Sequence, residues 1–171
     1  MDIIWDELTA GLPTITQLIH AVIRLVAATL LGGVIGVQRE RWGKSAGVRT
    51  HILVTVGTTL FVLATAGSGM SLDGVSRVIQ GLTTGIGFIG AGAILKLSKS
   101  REIQGLTTAA GIWTTAAIGV TVGLGSLGLA LLGTVLTWII LTLVGRIEFK
   151  QQSKRIEEEN RAGKIKKPTT P

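Results

Sequence analysis

Charged residues in this chain are confined to short blocks, and five long apolar runs lie between them. A helix needs about 20 mostly apolar residues to cross a bilayer, and the runs at 18–37, 50–66, 75–95, 106–124 and 126–144 approach that length. Only 16% of the residues are charged and 46% are hydrophobic, so a soluble domain of this composition would expose a large apolar surface. The pattern predicts an all-α polytopic membrane protein, a compact bundle of about five transmembrane helices.

Lysine and arginine are distributed unevenly among the segments that connect these runs. The connection after the first run holds four, the connection after the third holds three, and the chain beyond residue 144 holds eight. The segment before the first run and the connections after the second and fourth runs hold none. Basic residues concentrate in cytoplasmic loops, which predicts an N-terminus outside and a C-terminus in the cytoplasm. We therefore expect an external segment at 1–17, a five-span membrane domain at 18–145 and a short basic cytoplasmic tail at 146–171. The same rule explains the net charge of +7 without a nucleic-acid partner.

Several classes of chemistry lack the residues that they need. The chain has no cysteine and only two histidines, so neither a thiolate nor a histidine-based metal site is expected. The sequence shows no nucleophile–base pair, and its GxG patterns lie in an apolar run and not in a soluble βαβ unit. We expect no enzyme activity, no metal site and no cofactor.

Two arginines lie within the apolar runs, where each costs at least about 2.5 kcal/mol on insertion scales. Arg24 lies in the first run and Arg77 near the start of the third, both in the predicted outer half. They would share a polar cluster if the first and third helices were neighbours. The alternative is that both side chains extend to the interface, with Asp73 neutralising Arg77. The predicted intramembrane cluster consists of His20, Arg24, Asp73, Arg77 and Gln80.

The connection QRERWGKSAGVRTH, between the first and second runs, carries a second group of polar residues. Its arginines fit a cytoplasmic anchor, but Glu40 does not, and it is expected to pair with a neighbouring arginine. Binding of a partner or of phosphate is an alternative role for this loop. The predicted cytoplasmic loop cluster consists of Arg39, Glu40, Arg41, Arg49 and His51.

Glycines four residues apart occur on three of the runs. Each glycine costs about 1 kcal/mol of helix propensity relative to alanine, and pairs at this spacing let helix backbones approach closely. The stretch GIGFIGAG is denser in glycine than packing requires, so an opened third helix that lines a pathway is the alternative. The glycines assigned to packing or to such a pathway are Gly32, Gly36, Gly81, Gly85, Gly87, Gly90, Gly92, Gly119 and Gly123.

Three blocks in register resemble the MgtC/SapB family of bacterial inner-membrane proteins. They are GVIGVQRERWGKSAGVRTHILVTVGTTLF at 33–61, SRVIQGLTTGIGFIGAGAIL at 76–95 and IQGLTTAAGIWTTAAIGVTVGLG at 103–125. The positions that match the family pattern are Arg39, Glu40, Arg49, Arg77, Gln80 and the Gly85–Gly92 run. The chain departs from the family pattern in two ways. It has a short tail where longer members have a soluble C-terminal domain, and Asp73 lies one residue further from Arg77 than the family spacing.

The resemblance implies a multi-span inner-membrane protein linked to magnesium limitation, envelope stress and virulence. It also implies modulation of other membrane complexes, such as ATP synthase or ion transporters. The expected partners are the lipid bilayer, other membrane proteins and further copies of the chain. The alternative is an ion transporter or channel, for Mg²⁺ or an anion, with a pathway along the third run. Magnesium transport needs oxygen ligands, and arginines flank the few carboxylates near the runs, which favours modulation.

Overall fold

The computed structural model describes residues 14–96, 103–143 and 145. The predicted external segment before residue 14, the basic connection at 97–102 and the tail after residue 145 therefore lie outside the described residues. Within that part of the chain there are five helices and one short antiparallel β-ladder. They are α1 (Ile15–Arg41), α2 (Val48–Gly67), α3 (Leu72–Gly92), β1 (Leu95–Lys96), β2 (Ile103–Gln104), α4 (Leu106–Gly123) and α5 (Leu127–Leu143).

The chain divides into two compact units, Met1–Thr137 and Trp138–Pro171, and α5 runs across the division. The described residues of the second unit form the last turns of α5, where the Thr142 hydroxyl donates to the Trp138 carbonyl at 2.7 Å. The β-ladder pairs Leu95 with Gln104 and is a small departure from the all-helical prediction.

Local hydrogen bonds explain where the helices begin. A capping box precedes α1, because the Thr14 hydroxyl accepts from the Gln17 N–H while the Gln17 side chain accepts from the Thr14 N–H. The Ser71 hydroxyl accepts from the Gly74 N–H at the start of α3. Gly105 precedes α4 with φ +93°, and a Cβ there would collide with the Ala93 carbonyl oxygen. Only glycine fits this junction.

The first unit is organised around α2, which packs against α1, α4 and α3. Its apolar core comes from several helices and includes Ala28, Ile35, Val62, Ile112 and Val122. Many threonines are also buried, and most of their hydroxyls donate to a carbonyl of their own helix, as Thr55 does to His51 at 3.0 Å. An internal bond of this kind satisfies a polar group where no water is present.

Two of the three predicted glycine pairs lie at these helix contacts. A Cβ on Gly36 would lie 2.5 Å from the Cα of Val48, and one on Gly123 would lie 2.6 Å from the Cβ of Val62. Gly32 and Gly119 face α2 in the same way and would collide with the Thr55 and Thr58 hydroxyls. The close approach of α1 and α4 to α2 therefore depends on glycine.

Three helices of the described chain have the length and apolar character to cross a membrane, namely α1, the Val48–Thr65 part of α2, and α4. The shorter α5 is also apolar. By contrast, α3 has 21 residues but does not qualify, because Asp73, Arg77, Gln80 and six glycines lower its hydropathy. Many large apolar side chains are exposed, including Val26, Leu53 and Leu132. Such a surface fits a protein whose solvent is lipid.

Candidate functional site

A buried polar centre lies where the end of α1 meets the beginnings of α2 and α4. Arg39 is 3% exposed, and its Nη2 donates to the Thr108 hydroxyl at 2.9 Å. The Nδ1 atom of His51, which is fully buried, lies 2.8 Å from the Thr115 hydroxyl. The Thr115 hydroxyl also donates to the Gly111 carbonyl at 2.8 Å, and the tautomer of the His51 ring sets which atom donates in the pair with Nδ1.

The five residues of the predicted cytoplasmic loop cluster differ from the prediction in secondary structure and in burial. The helix α1 continues to Arg41 and α2 begins at Val48, so all five residues of the cluster are helical. Arg39 and His51 are buried, whereas Arg41 and Arg49 are exposed. The sequence could not show the burial of Arg39 and His51, since a connection that carries several charges is usually solvated.

Glu40 also differs from its predicted role as the partner of an arginine. Its Oε2 accepts a hydrogen bond from the Val48 backbone N–H at 3.1 Å. The carboxylate therefore caps α2, whose N-cap residue, Gly47, has no side chain for this purpose. A negative charge at this position is also favourable to the helix dipole.

Arg24 is half-buried at the opposite end of the bundle. Its Nη1 donates to the carbonyl oxygen of Gly123, the last residue of α4, at 2.8 Å. The guanidinium also lies against Gly125, where φ is +87° and a Cβ would lie 2.6 Å from Nη2. A cation at the C-terminal end of a helix is stabilised by the helix dipole, so Arg24 joins α1 to the turn between α4 and α5.

The predicted intramembrane cluster is not assembled among the described residues. Arg77 forms an exposed ion pair with Asp73 at 2.9 Å on α3, while Arg24 bonds to the end of α4. The prediction assumed that the first and third helices are neighbours, but α1 packs mainly on α2, and α3 packs on α4 and α2. His20 and Gln80 are both exposed.

The glycines of α3 differ from those of α1 and α4. A Cβ placed on Gly81, Gly85, Gly87 or Gly92 would meet nothing within 4 Å, whereas Gly90 packs on Ala109 and Gly74 packs on Met70, which lies just before the helix. The expectation of close packing inside the bundle is therefore not met by Gly81 and Gly85. The alternative of a broken third helix is not seen either, because α3 is continuous from Leu72 to Gly92.

One side of α3 is exposed over several turns. We call it the open face of α3 and define it by Gln80, Gly81, Thr84, Gly85 and Phe88, all exposed. An apolar groove of about 780 Å³ runs along it between α3 and α2. A helix face that combines small residues with hydrogen-bonding side chains is the kind that associates with another helix in a bilayer.

Two residues of the buried centre, Thr108 and Thr115, were missed in the sequence. They are seven residues apart on α4 and therefore on the same helix face, within the repeated pattern LTTAAGIWTT. That spacing is the signal that could have identified them. It does not by itself distinguish a face that packs on Arg39 and His51 from one that faces lipid.

Comparison with known proteins agrees with the apolar helices and the motif blocks. Residues 25–150 match the MgtC family. YhiD of Escherichia coli strain K12, whose name proposes magnesium transport, is 41% identical over 140 residues, which cover 78% of this chain and 64% of YhiD. No solved structure is significantly similar.

Two further relatives have names that state no activity. Protein SrpB of Synechococcus elongatus is 43% identical over 146 residues, 76% of this chain and 79% of SrpB. Protein MgtC of Salmonella typhimurium strain LT2 is 36% identical over 137 residues, 80% of this chain and 55% of MgtC. The match thus spans slightly less than two thirds of YhiD and about half of MgtC. With the family pattern matched over most of its length, this chain belongs to the MgtC family of membrane proteins.

Proposed function

We propose that this protein is a modulatory protein of the inner membrane that acts on other membrane complexes through the open face of α3. The complexes that fit the family resemblance are ion transporters and ATP synthase. The proposal includes five membrane crossings, with the N-terminus outside and the C-terminus in the cytoplasm. It also links the chain to adaptation to low magnesium, which the family resemblance implies.

The exposure of the open face carries this proposal. Gly81 and Gly85 meet no atom within 4 Å, and the polar side chains of Gln80 and Thr84 are exposed beside them. In lipid an amide such as that of Gln80 has no hydrogen-bonding partner, which is unfavourable. A partner helix would supply both the packing surface and the missing hydrogen bonds.

The surroundings of the carboxylates favour modulation over magnesium transport. Mg²⁺ binds through oxygen ligands, usually carboxylates together with water. Within residues 14–96 and 103–143 the carboxylates are Glu40, which caps α2, and Asp73, which pairs with Arg77. No group of three His, Cys, Asp or Glu comes together in that part of the chain. We also propose that the protein is not an enzyme.

Co-purification from native membranes tests the modulatory role. Gly85→Leu fills the open face, whereas Gly128→Leu adds the same volume on α5, at a glycine that likewise meets nothing within 4 Å. We expect the wild type and Gly128→Leu to retain the same membrane proteins in mild detergent, and Gly85→Leu to lose them. Identical recovery from all three would contradict the assignment of the open face.

Transport is the second candidate, because it is the activity that the name of YhiD proposes. A transporter works alone in lipid, whereas a modulator needs its partner. We expect liposomes that contain only this protein, folded as judged by cooperative thermal unfolding, to pass Mg²⁺ no faster than protein-free liposomes. Flux that Gly85→Leu abolishes and Gly128→Leu preserves would establish a pathway along α3.

A further inference from the structure

The buried guanidinium of Arg39 has no carboxylate partner within the described residues. Glu40 is exposed and bonded to the Val48 N–H, and Asp73 is exposed and paired with Arg77. What Arg39 does have is a single neutral acceptor, the Thr108 hydroxyl at 2.9 Å. A buried charge is normally neutralised by an opposite charge, so this centre has the electrostatic character of an anion site.

The Nε atom of Arg39 is buried and has no hydrogen-bond partner in the described chain. The Nε atom of arginine is always a donor. The guanidinium therefore offers a free donor beside its bond to Thr108.

The beginning of α4 adds to this arrangement. Its N-cap, Gly105, has no side chain to bind the first-turn N–H groups, and Thr108 is the third residue of the helix. The N-terminus of a helix carries partial positive charge and free N–H groups, which favour anions. Arg39, through its bond to Thr108, lies directly at this turn.

Three exposed cations lie close to Arg39 and His51 in the sequence. Arg41 follows Arg39 by two residues, the Lys44 N–H donates to the Arg39 carbonyl at 3.1 Å, and Arg49 precedes His51 by two residues. All three side chains are exposed. Such a group of like charges raises the local concentration of anions.

We propose that Arg39 and the first turn of α4 form a binding site for a phosphate group. Its oxygens accept hydrogen bonds from the guanidinium and from the helix N–H groups. Inorganic phosphate and the headgroup of phosphatidic acid both have this chemistry.

Thermal unfolding of the full chain in phosphate-free maltoside detergent tests the site. Inorganic phosphate and phosphatidic acid are titrated separately into wild type, Arg39→Gln and Arg41→Gln. The last variant removes the same charge two residues away at an exposed position. We expect the Tm of wild type and Arg41→Gln to rise with phosphate or with phosphatidic acid, and Arg39→Gln to bind at least about tenfold more weakly. The arm that responds identifies the source as free anion or lipid.

Thr108→Val keeps the side-chain volume and removes the acceptor of Arg39, so it provides a second variant if Arg39→Gln does not fold. We expect Thr108→Val to weaken binding while Arg41→Gln leaves it unchanged. Absence of a Tm shift with both phosphate sources in the wild type would overturn the proposal. An equal shift in the Arg39 and Arg41 variants would do the same.

Discussion

At the scale of single residues, glycines with the same spacing have opposite surroundings. A Cβ on Gly119 would lie 2.5 Å from the Thr55 carbonyl oxygen and 2.9 Å from the Thr55 Cα, whereas a Cβ on Gly85 would meet nothing within 4 Å. Overpacking of this kind costs about 1–3 kcal/mol, more than the gain of about 1 kcal/mol in helix propensity from alanine.

Gly119→Ala should therefore lower the free energy of unfolding of the purified protein by about 1–2 kcal/mol. Gly85→Ala should leave it unchanged or raise it by up to about 1 kcal/mol. Unfolding in mixed micelles measures both. Equal destabilisation by the two substitutions would show that the open face is packed within the monomer.

The two arginines of the predicted intramembrane cluster also differ in their expected contribution to stability. Arg24→Gln removes a charged hydrogen bond to the last carbonyl of α4, a kind of bond that contributes about 1.5–3 kcal/mol. Arg77→Gln breaks an exposed pair four residues apart, which contributes about 0.5 kcal/mol or less. We expect the Tm to fall clearly for Arg24→Gln and little for Arg77→Gln. A larger fall in Tm for Arg77→Gln than for Arg24→Gln would contradict the contacts described for the two arginines.

The spacing of residues predicted which of them share a helix face, but not which neighbour each residue contacts. The spacing of Gly81 and Gly85 is the same as that of Gly119 and Gly123, because helix periodicity fixes which residues share a face and not what that face contacts. The burial of Arg39 was missed for the same reason. Its role depends on Thr108, which lies 69 positions away in the chain.

At the scale of helices, the apolar runs predicted α1, α2 and α4 well, and the errors lie at the helix ends. The predicted first run stopped at residue 37, but α1 reaches Arg41, since the glutamine, arginines and glutamate at 38–41 are polar and yet good helix formers. With 27 residues, α1 is about 40 Å long, longer than a hydrocarbon core of about 30 Å.

The orientation of α3 can be tested because the chain contains no cysteine. Phe88 is 84% exposed and Ile86 only 7%, although they are two residues apart on one helix. In detergent, a membrane-permeant maleimide should label Phe88→Cys quickly and Ile86→Cys slowly. If both were labelled at the same rate, α3 would not pack on its neighbours as described.

At the scale of the whole molecule, the proposed topology predicts which connections face the cytoplasm. Ser45 lies in the basic connection between α1 and α2, and Met70 lies between α2 and α3, both exposed. In intact cells a membrane-impermeant maleimide that passes the outer membrane should label Met70→Cys. Ser45→Cys should be labelled only after the cells are lysed. The opposite result would invert the bundle in the membrane.

The central claim is that the protein acts through a partner bound to the open face of α3, and photo-crosslinking in native membranes tests it most directly. Benzoylphenylalanine replaces Phe88 on the open face with little change in shape, and in a matched variant it replaces Val26, which is 53% exposed on α1. We predict a discrete adduct with another membrane protein from position 88 and none from position 26. The Gly85→Leu substitution should abolish that adduct. If position 88 gives only lipid adducts, or if both positions capture the same proteins equally, the account is wrong.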